Sequence, residues 1–276
     1  MPELPEVEVT RQGIDEPLRG AQVLGVRVGK PLRWPLGCAA ESLVGTRVGP
    51  VERRGKYLWL PLTRAGQPAG GLLMHLGMSG SLALLGTPGA PGPHDHFDLA
   101  TDRGTLRLTD PRRFGAVVFA PALDEPPASR LLARLGIEPF DAALTPEALH
   151  QALRARRAPI KAVLLAGDVI VGAGNIYACE ALHAAGIHPN TPSDRLSARR
   201  AAALLLALRS TLARALAAGG STLRDFTDVH GMSGSFQAEA AVYGRAGQPC
   251  RRCARPIRRV VHAGRSTYYC AGCQRR

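Results

Sequence analysis

The sequence of 276 residues lacks several features that mark common classes of protein. No stretch approaches the roughly 18 uninterrupted apolar residues of a transmembrane helix. The opening residues, MPELPEVEVT, are acidic and lack the basic and then apolar layout of a signal peptide. We therefore expect a cytoplasmic protein, in which cysteines stay reduced and bind metal more often than they form disulfides.

Lysine is nearly absent, although the chain is strongly basic. Only Lys30, Lys56 and Lys161 are lysines among 35 basic residues, and the formal net charge is +13. An excess of this size attracts polyanions, which indicates nucleic acid or an anionic membrane surface as the partner. Because an ammonium and a guanidinium fork are not interchangeable at a tight site, the three lysines are of individual interest.

The first 120 residues combine one helix with a series of short strands. Pro5 suits the first turn of a helix that runs to about Leu18. Short apolar runs separated by glycine and proline then predict an antiparallel sandwich or barrel. The predicted strands are residues 23–28, 57–62, 72–76, 82–85, 97–100, 106–108 and 116–119.

The hydrophobic period changes after a proline-rich linker at residues 121–127. Helical composition is found at residues 146–154, 160–165, 176–185 and 197–218. The sequence therefore predicts a β-sandwich domain with a leading helix (1–120), a helical domain (128–220), a polar loop region (221–240) and a small terminal module (241–276). The last 32 residues contain nine arginines and no acidic residue.

Four of the six cysteines have the spacing Cys250-x2-Cys253-x16-Cys270-x2-Cys273. Paired thiolates at this spacing predict one tetrahedral structural zinc; two disulfides or free thiols are the alternative. A module of about 30 residues buries too little core to fold alone, so the metal would supply the folding free energy. Residues 257–262 and 266–269 read as strands, which places Arg265 at a hairpin tip that suits contact with phosphate.

Two short segments allow more than one interpretation. Gly172-Ala173-Gly174-Asn175 precedes a predicted helix, so its free N–H groups could face an anion; equally, Asn175 could be the N-cap of a tight turn. His94-Asp95-His96 could hold a metal, but no third ligand lies nearby in sequence. Hydrogen bonding or contact with phosphate is therefore favoured for this triplet.

The loop at residues 110–115 joins arginines to an aromatic residue. Arg112 and Arg113 come directly before Phe114. An apolar wedge beside arginines is a known means of holding an unstacked duplex open. The loop therefore points to DNA rather than to a membrane.

Together these motifs resemble the formamidopyrimidine-DNA glycosylase family, in the family's order from residue 2 to residue 274. They are MPELPEVE, RRGKYL (53–58), HLGMSG (75–80), HDHFDL (94–99), TDPRRFG (109–115), GNIYACEALHAAGIHP (174–189), GGSTLRDF (219–226), VYGRAGQPC (242–250) and the cysteine quartet. The resemblance implies an α+β fold: an N-terminal β-sandwich with a leading helix, a helix–two-turn–helix domain and a C-terminal β-hairpin zinc finger.

The resemblance also implies an activity and its catalytic residues. It implies a monomeric, bifunctional glycosylase and lyase that removes 8-oxoguanine and formamidopyrimidines opposite cytosine from double-stranded DNA. Pro2, once Met1 is removed, resembles the nucleophile, Glu3 the acid/base, and Lys56 a lysine that contacts DNA beside the lesion. An α-amine has an ordinary pKa of about 7.7–8.0, so roughly a tenth of it is neutral and nucleophilic near pH 7.

Further positions match residues that bind DNA in the family. Met78, Arg112 and Phe114 match the side chains that fill the gap left by the extruded base, with Arg112 facing the orphaned cytosine. Residues 221–237 match the loop that closes over that base. The expected contacts with the DNA backbone are His94, Asn175, Arg265 and Lys161.

Two other functions are compatible with parts of this pattern. An endonuclease VIII-like enzyme would use the same proline chemistry on oxidised pyrimidines, but its members typically lack the set Met78, Arg112 and Phe114. A non-catalytic zinc-ribbon protein would bind DNA without needing Pro2 or Lys56, and it would not cleave the strand.

Overall fold

The computed structural model describes residues 2–221, 234–262 and 264–276. The chain forms two compact units. The first comprises residues 1–133 and 219–234, and the second comprises residues 134–218 and 235–276. Residues 222–233, which make up most of the predicted capping loop, lie outside the described residues. The four domains predicted from the sequence are not tested by this division into two units and remain a prediction.

Helix α1 (Leu4–Leu18) opens the first unit, close to its predicted bounds. Pro5 lies in its first turn, where no intrahelical N–H is needed. Val7, Ile14 and Leu18 recur at helical spacing and are buried against the strands.

Two antiparallel sheets form the rest of the first unit. One has the strand order β1-β7-β8-β6, and the other has β2-β4-β5-β9 with β3 paired to β4. The strands are β1 (Val23–Val28), β2 (Arg47–Val48), β3 (Glu52–Arg54), β4 (Tyr57–Arg64), β5 (Gln67–His75), β6 (Ser81–Leu85), β7 (Asp95–Thr101), β8 (Gly104–Thr109) and β9 (Ala116–Ala120).

Alternation along the strands places the core between these sheets. In β4 and β5, Leu58 lies opposite Met74 and Leu60 lies opposite Leu72, and all four point into one cluster. Phe97 of β7 joins that cluster from the other sheet. The predicted sandwich is confirmed.

Strands β2 and β3 were not predicted from the sequence. Their residues are mostly charged, and charged residues carry little β-propensity. Strand β2 pairs with β4 through Arg47 and Val48. Strand β3 is held because Arg53 donates to Glu8 of α1 at 2.8 Å while its backbone pairs with Leu58. Helix α2 (Ala128–Leu132), which follows the predicted linker, was also missed.

The second unit contains the predicted helices. They are α3 (Pro146–Arg154), α4 (Ile160–Ala166), α5 (Asn175–Ala184) and α6 (Ala198–Ala217), followed by the short α7 (Phe236–Glu239). Thr145 and Ser197 accept N–H bonds that cap α3 and α6. The N-cap of α5 is Gly174 rather than Asn175, which lies inside the first turn.

The cysteine module ends the second unit as a β-hairpin. Strands β10 (Arg258–His262) and β11 (Arg265–Tyr269) pair so that His262 lies opposite Arg265. The α+β architecture is therefore confirmed. Every helix in the described parts of the chain is too short or too polar to span a lipid bilayer.

Candidate active site and anion-binding residues

The start of α1 is a buried and strongly bonded corner of the first unit. Pro2 and Glu3 are both buried, and Glu3 is the N-cap residue of the helix. The backbone N–H of Glu3 donates to Glu6 Oε2 at 2.8 Å, which fixes the first turn. Pro2 thus lies at the positive end of the helix dipole.

Glu6 also binds this corner to a distant segment of the same unit. Its other oxygen, Oε1, accepts the N–H of Ser221 at 2.7 Å, although the two residues are 215 positions apart. Gly220 has φ of 84°, and a Cβ on it would lie 3.1 Å from Glu6 Oε1. Glycine therefore permits both this backbone conformation and the close approach. The sequence indicates Glu6 as an acidic residue of the first helical turn, but it does not indicate the bond to Ser221, which joins residues far apart in the chain.

Lys56 lies in the turn between β3 and β4, near the end of β5. The next residue, Tyr57, pairs with His75, and the centroids of their rings are 4.7 Å apart. Burial, and then the charges of Lys56 and Arg33, lower the pKa of His75 to about 4. Its Nδ1 accepts the N–H of Gly77 at 2.9 Å, so the neutral ring carries its proton on Nε2. The cationic side chains of Lys56 and Arg33 therefore lie near the Nε2–H donor of His75, and such a set of groups suits binding of an anion.

His75 belongs to the HLGMSG motif, and no feature of the motif distinguishes it as a functional residue. Its proximity to Lys56 follows from the pairing of β4 with β5, which fixes the register of the two strands. Strand pairing in the sheet thus places Lys56, a turn residue, near His75, the last residue of β5.

One buried carboxylate fastens the two loops that carry the predicted gap-filling residues. Asp110 is fully buried. Its Oδ1 accepts the hydroxyl of Ser79 at 2.7 Å and the N–H of Arg112 at 3.2 Å, while Oδ2 accepts the N–H of Gly115 at 2.7 Å. Asp110 thereby holds both loops in one position, a role that only the folded structure reveals.

The structure brings the predicted gap-filling side chains together on these loops. A Cβ on Gly77 would lie 2.5 Å from the backbone of Phe114, so the loops are in direct contact. Met78 and Phe114 are 40% and 43% exposed, which is unusual for large apolar side chains. The guanidinium of Arg112 lies 4.9 Å from the ring centroid of Phe114. An exposed apolar wedge therefore stands beside a cation.

The His94-Asp95-His96 triplet does not form a metal site. His94 is exposed, whereas His96 is buried and binds the carbonyl of Asp110 through Nε2 at 3.1 Å. Asp95 accepts the N–H of Gly92 at 2.8 Å and pairs with Arg107. Of the three side chains, His94 has the exposure that contact with an anion needs.

Lys161 is buried and connects three elements of the second unit. It is 4% exposed, and its Nζ donates to Asn175 Oδ1 at 2.6 Å, to Thr267 Oγ1 at 2.6 Å and to the carbonyl of Ser266 at 3.2 Å. Direct contact of Lys161 with DNA, which the sequence predicts, would require the ammonium to leave these partners. Its position instead indicates that it fixes α5 against the hairpin.

The hydrogen bonds of Lys161 and Asn175 fix the position of Asn175 relative to the hairpin segment that contains Arg265. Asn175 Nδ2 donates to the carbonyl of Ser266 at 2.9 Å, and Ser266 directly follows Arg265. The side chain of Arg265 is exposed at the start of β11 and has no partner among the residues that the structure describes. The guanidinium of Arg265 is therefore exposed on a hairpin that Lys161 and Asn175 hold in place.

The four predicted cysteines converge as a zinc site requires. All four Sγ atoms lie within 4.8 Å of one another, with 3.8 Å between Cys250 and Cys273 and 3.4 Å between Cys253 and Cys270. Tetrahedral zinc with bonds of about 2.3 Å separates its sulfurs by about 3.8 Å. Burial and then the neighbouring thiols raise the pKa of Cys273 to about 12, a repulsion that a bound cation relieves. The residues therefore fit one structural zinc ion.

The cysteine module packs on α5 within the second unit. Cys250, Cys270 and Ile257 share a small apolar cluster with Cys179 of α5. His183 Nε2 lies 3.5 Å from the sulfur of Cys250. Cys179 is therefore a packing residue. Within the described residues, the quartet is the one group of three or more His, Cys, Asp or Glu side chains spaced to hold a metal.

Three family models match the chain in succession. "Formamidopyrimidine-DNA glycosylase N-terminal domain" matches residues 1–117, "Formamidopyrimidine-DNA glycosylase H2TH domain" matches residues 135–227, and "Zinc finger found in FPG and IleRS" matches residues 247–276. Curated relatives named formamidopyrimidine-DNA glycosylase include those of Variovorax paradoxus, 58% identical, and Albidiferax ferrireducens, 55% identical. Both alignments cover 100% of each chain.

Solved structures are similar over the same length. The MutM (Fpg) protein of Thermus thermophilus is 38% identical, with a TM-score of 0.87, and the match covers 99% of this chain and 98% of that one. A Lactococcus lactis Fpg mutant in complex with a Fapy-dG containing DNA is 29% identical, with a TM-score of 0.90 and full coverage of both chains. The wild-type Lactococcus lactis protein, also 29% identical, with a TM-score of 0.89 and full coverage of both chains, was solved with an oxidised pyrimidine containing DNA.

Proposed function

The chain belongs to the formamidopyrimidine-DNA glycosylase family, and on that basis we propose that Pro2 and Glu3 carry out its reaction. The protein is a base-excision-repair enzyme that removes oxidised purines from DNA and carries one structural zinc. One observation supports the catalytic assignment: the first turn of α1 is fixed by the bond from the N–H of Glu3 to Glu6 Oε2, and Pro2 directly precedes Glu3.

The proposed reaction begins with the Pro2 nitrogen, exposed by removal of Met1. Its lone pair forms a bond to C1′ of the deoxyribose, and the bond from C1′ to the damaged base breaks. Glu3 exchanges a proton with the ring oxygen, so the sugar opens and a cationic iminium remains. That cation acidifies the 2′ carbon, and loss of a 2′ proton expels the 3′-phosphate. A second elimination, in which the 4′ carbon loses its proton, expels the 5′-phosphate.

The loops at residues 77–80 and 110–115 are the proposed device for keeping the damaged base out of the helix. Met78 and Phe114 would occupy the vacated space, and Arg112 would donate to the acceptors of the orphaned cytosine. Extrusion of a base costs a few kcal/mol, which apolar contact in the gap offsets. This set favours oxidised purines opposite cytosine over an endonuclease VIII-like preference.

Phosphate contacts are proposed for residues of both units. In the first unit these are Lys56, His94 and, from its geometry beside Lys56, His75. In the second unit they are Asn175 and Arg265. Lys161 is proposed as a positioning residue for Asn175 and Arg265, because its ammonium is occupied by internal partners.

Cys250, Cys253, Cys270 and Cys273 hold the zinc, which supplies rigidity to the hairpin when bound. Four protein ligands leave no open coordination position. We further propose that the enzyme acts as a monomer in the bacterial cytoplasm, where its DNA substrate lies.

Trapping with borohydride tests the nucleophile. Borohydride added during cleavage of an 8-oxoguanine duplex should reduce the iminium and leave DNA attached to residue 2, located by peptide mapping. Pro2→Gly should bind the duplex but lose most cleavage, and Glu3→Gln should bind it but fail in base release. Pro5→Ala, a change at a second proline of the same turn, should still become attached at Pro2.

Two results would contradict this assignment. One is attachment of DNA to Lys56 or Lys161 in place of residue 2. The other is full activity in enzyme that mass spectrometry shows to retain Met1, because the Pro2 nitrogen is then a tertiary amide without a usable lone pair. Faster cleavage of an oxidised pyrimidine than of 8-oxoguanine opposite cytosine would overturn the substrate preference instead.

A further inference from the structure

A concave surface of the second unit, apart from the residues discussed so far, is lined by three arginines. This cavity, called here the arginine pocket, has a volume of about 430 Å³. Its walls are Asn190, Thr191, Pro192, Arg195, Arg200 and Arg276. They come from the loop before α6, from the first turn of α6 and from the last described residue.

The guanidinium groups of the arginine pocket form no ion pair with a carboxylate of any residue that the structure describes. The side chains of Arg195 and Arg276 are exposed and have no hydrogen-bond or ion-pair partner in the described parts of the chain. Arg200 makes one bond, from a terminal nitrogen to the carbonyl of Arg275 at 2.8 Å. Asp194 is adjacent in sequence, but its Oδ1 is buried without a partner and does not pair with these cations.

The donors of the arginine pocket come from its arginine side chains. Three guanidinium groups, each a planar fork of N–H donors, match the oxygens of a phosphate group. Thr191 also lines the wall, but its Oγ1 is buried and is not among the exposed donors.

The arginine pocket adjoins the surface that carries Arg265. A second cavity of about 450 Å³ is lined by Asn190, His262 and Arg265, among others, and Asn190 lines both cavities. The side chains of Asn190 and His262 lie 3.2 Å apart. Arg265 therefore lines a cavity that adjoins the arginine pocket.

We propose that the arginine pocket binds a backbone phosphate of DNA, in addition to the phosphates assigned to Asn175 and Arg265. The continuity of the two cavities favours DNA as the source of that phosphate over a soluble anion. The proposal concerns binding and does not depend on Pro2 chemistry.

The salt dependence of binding tests this proposal directly. Each phosphate contact contributes about 0.9 to the slope of log K against log salt concentration. Arg195→Gln should lower the slope by about one contact on a duplex long enough to extend well beyond the lesion. Arg265→Ala serves as the comparison at a separate contact, and Arg199→Gln as the matched control. Arg199 is an exposed arginine next to Arg200 that does not line the pocket.

Two further measurements separate DNA from other occupants and from misfolding. Arg195→Lys keeps the charge and should recover most of the slope, and both variants should keep the parent's free energy of unfolding in urea, which excludes misfolding as the cause of a changed slope. Failure of the Pro2 assignment would change the site of cross-linking but leave these slopes intact.

Equal slopes for Arg195→Gln and Arg199→Gln would overturn the proposal. Pyrophosphate added to DNA-free enzyme gives the decisive contrast. If its binding is lost in Arg195→Gln while the DNA slope is unchanged, the pocket takes a soluble anion and the assignment to DNA is wrong.

Discussion

Replacement of Glu6 should damage both the stability and the activity of the enzyme. Its carboxylate accepts two buried backbone donors, the N–H of Glu3 at 2.8 Å and that of Ser221 at 2.7 Å. Glu3 and Ser221 are only 1% and 5% exposed, so water cannot replace the lost acceptor. A buried donor left without an acceptor costs about 1–3 kcal/mol. Glu6→Ala should therefore lower the free energy of unfolding by about 2–6 kcal/mol.

Glu6→Gln gives a graded comparison at the same position. A glutamine keeps one carbonyl oxygen for one donor, but its NH₂ group cannot accept from the other, so the loss should be about 1–3 kcal/mol. Cleavage should fall more steeply than binding in both variants. The reason is that Pro2 and Glu3 share the first turn with Glu6, and a misplacement of about 1 Å at reacting groups can cost about a hundredfold in rate.

Urea unfolding at constant m-value measures the first effect, and single-turnover cleavage of an 8-oxoguanine duplex measures the second. Glu16→Gln is the matched control, since Glu16 is an exposed acid of the same helix and should behave like the parent. A Glu6→Ala protein within about 0.5 kcal/mol of the parent would refute the reasoning, because that is the ordinary spread for surface substitutions.

Three other outcomes follow from the contacts described. Cys253→Ser should retain less than about half an equivalent of zinc by elemental analysis and lose binding to damaged DNA, whereas Cys38→Ser should keep both. Arg112→Ala should lower cleavage opposite cytosine more than opposite adenine, and equal losses would indicate a steric or phosphate role. Folded His75 stays neutral down to about pH 4, while an unfolded histidine gains its proton near 6.5. Protons therefore favour the unfolded chain as pH falls through that window, and His75→Gln should make unfolding less sensitive to pH between 7 and 4.

Elements with a strong local pattern could be predicted from the sequence. Thr145 and Pro146 set the start of α3, and Leu149 and Leu153 set its buried face, so its predicted bounds agree with the structure. The apolar run at residues 57–62 likewise predicted β4, which spans Tyr57–Arg64. By contrast, β3 is composed of one glutamate and two arginines, and it forms only because the neighbouring strand and Glu8 hold it.

The residues of the candidate site likewise fall into those that a local sequence pattern predicts and those that it does not. Short motifs indicated the residues that face a ligand, among them Pro2, Arg112 and the four cysteines. The positioning roles of the residues that hold them in place were not predicted, because their partners are distant in sequence. Asp110 binds Ser79 across 31 positions, and Lys161 binds Thr267 across 106. A linear pattern can show which side chain carries charge or sulfur, but it cannot show which buried group fixes its orientation.

The bond between Glu6 and Ser221 has a consequence for how the enzyme is made. Ser221 leaves the ribosome 215 residues after Glu6, and helices α3 to α6 are synthesised in between. At about 5–20 residues per second, this interval is on the order of 10–40 s. Throughout that time the growing chain carries its N-terminal proline without the second hydrogen bond that anchors the first turn. A prematurely terminated chain shorter than 221 residues never forms that bond, so translation must pass residue 221 before the corner that holds Pro2 is complete.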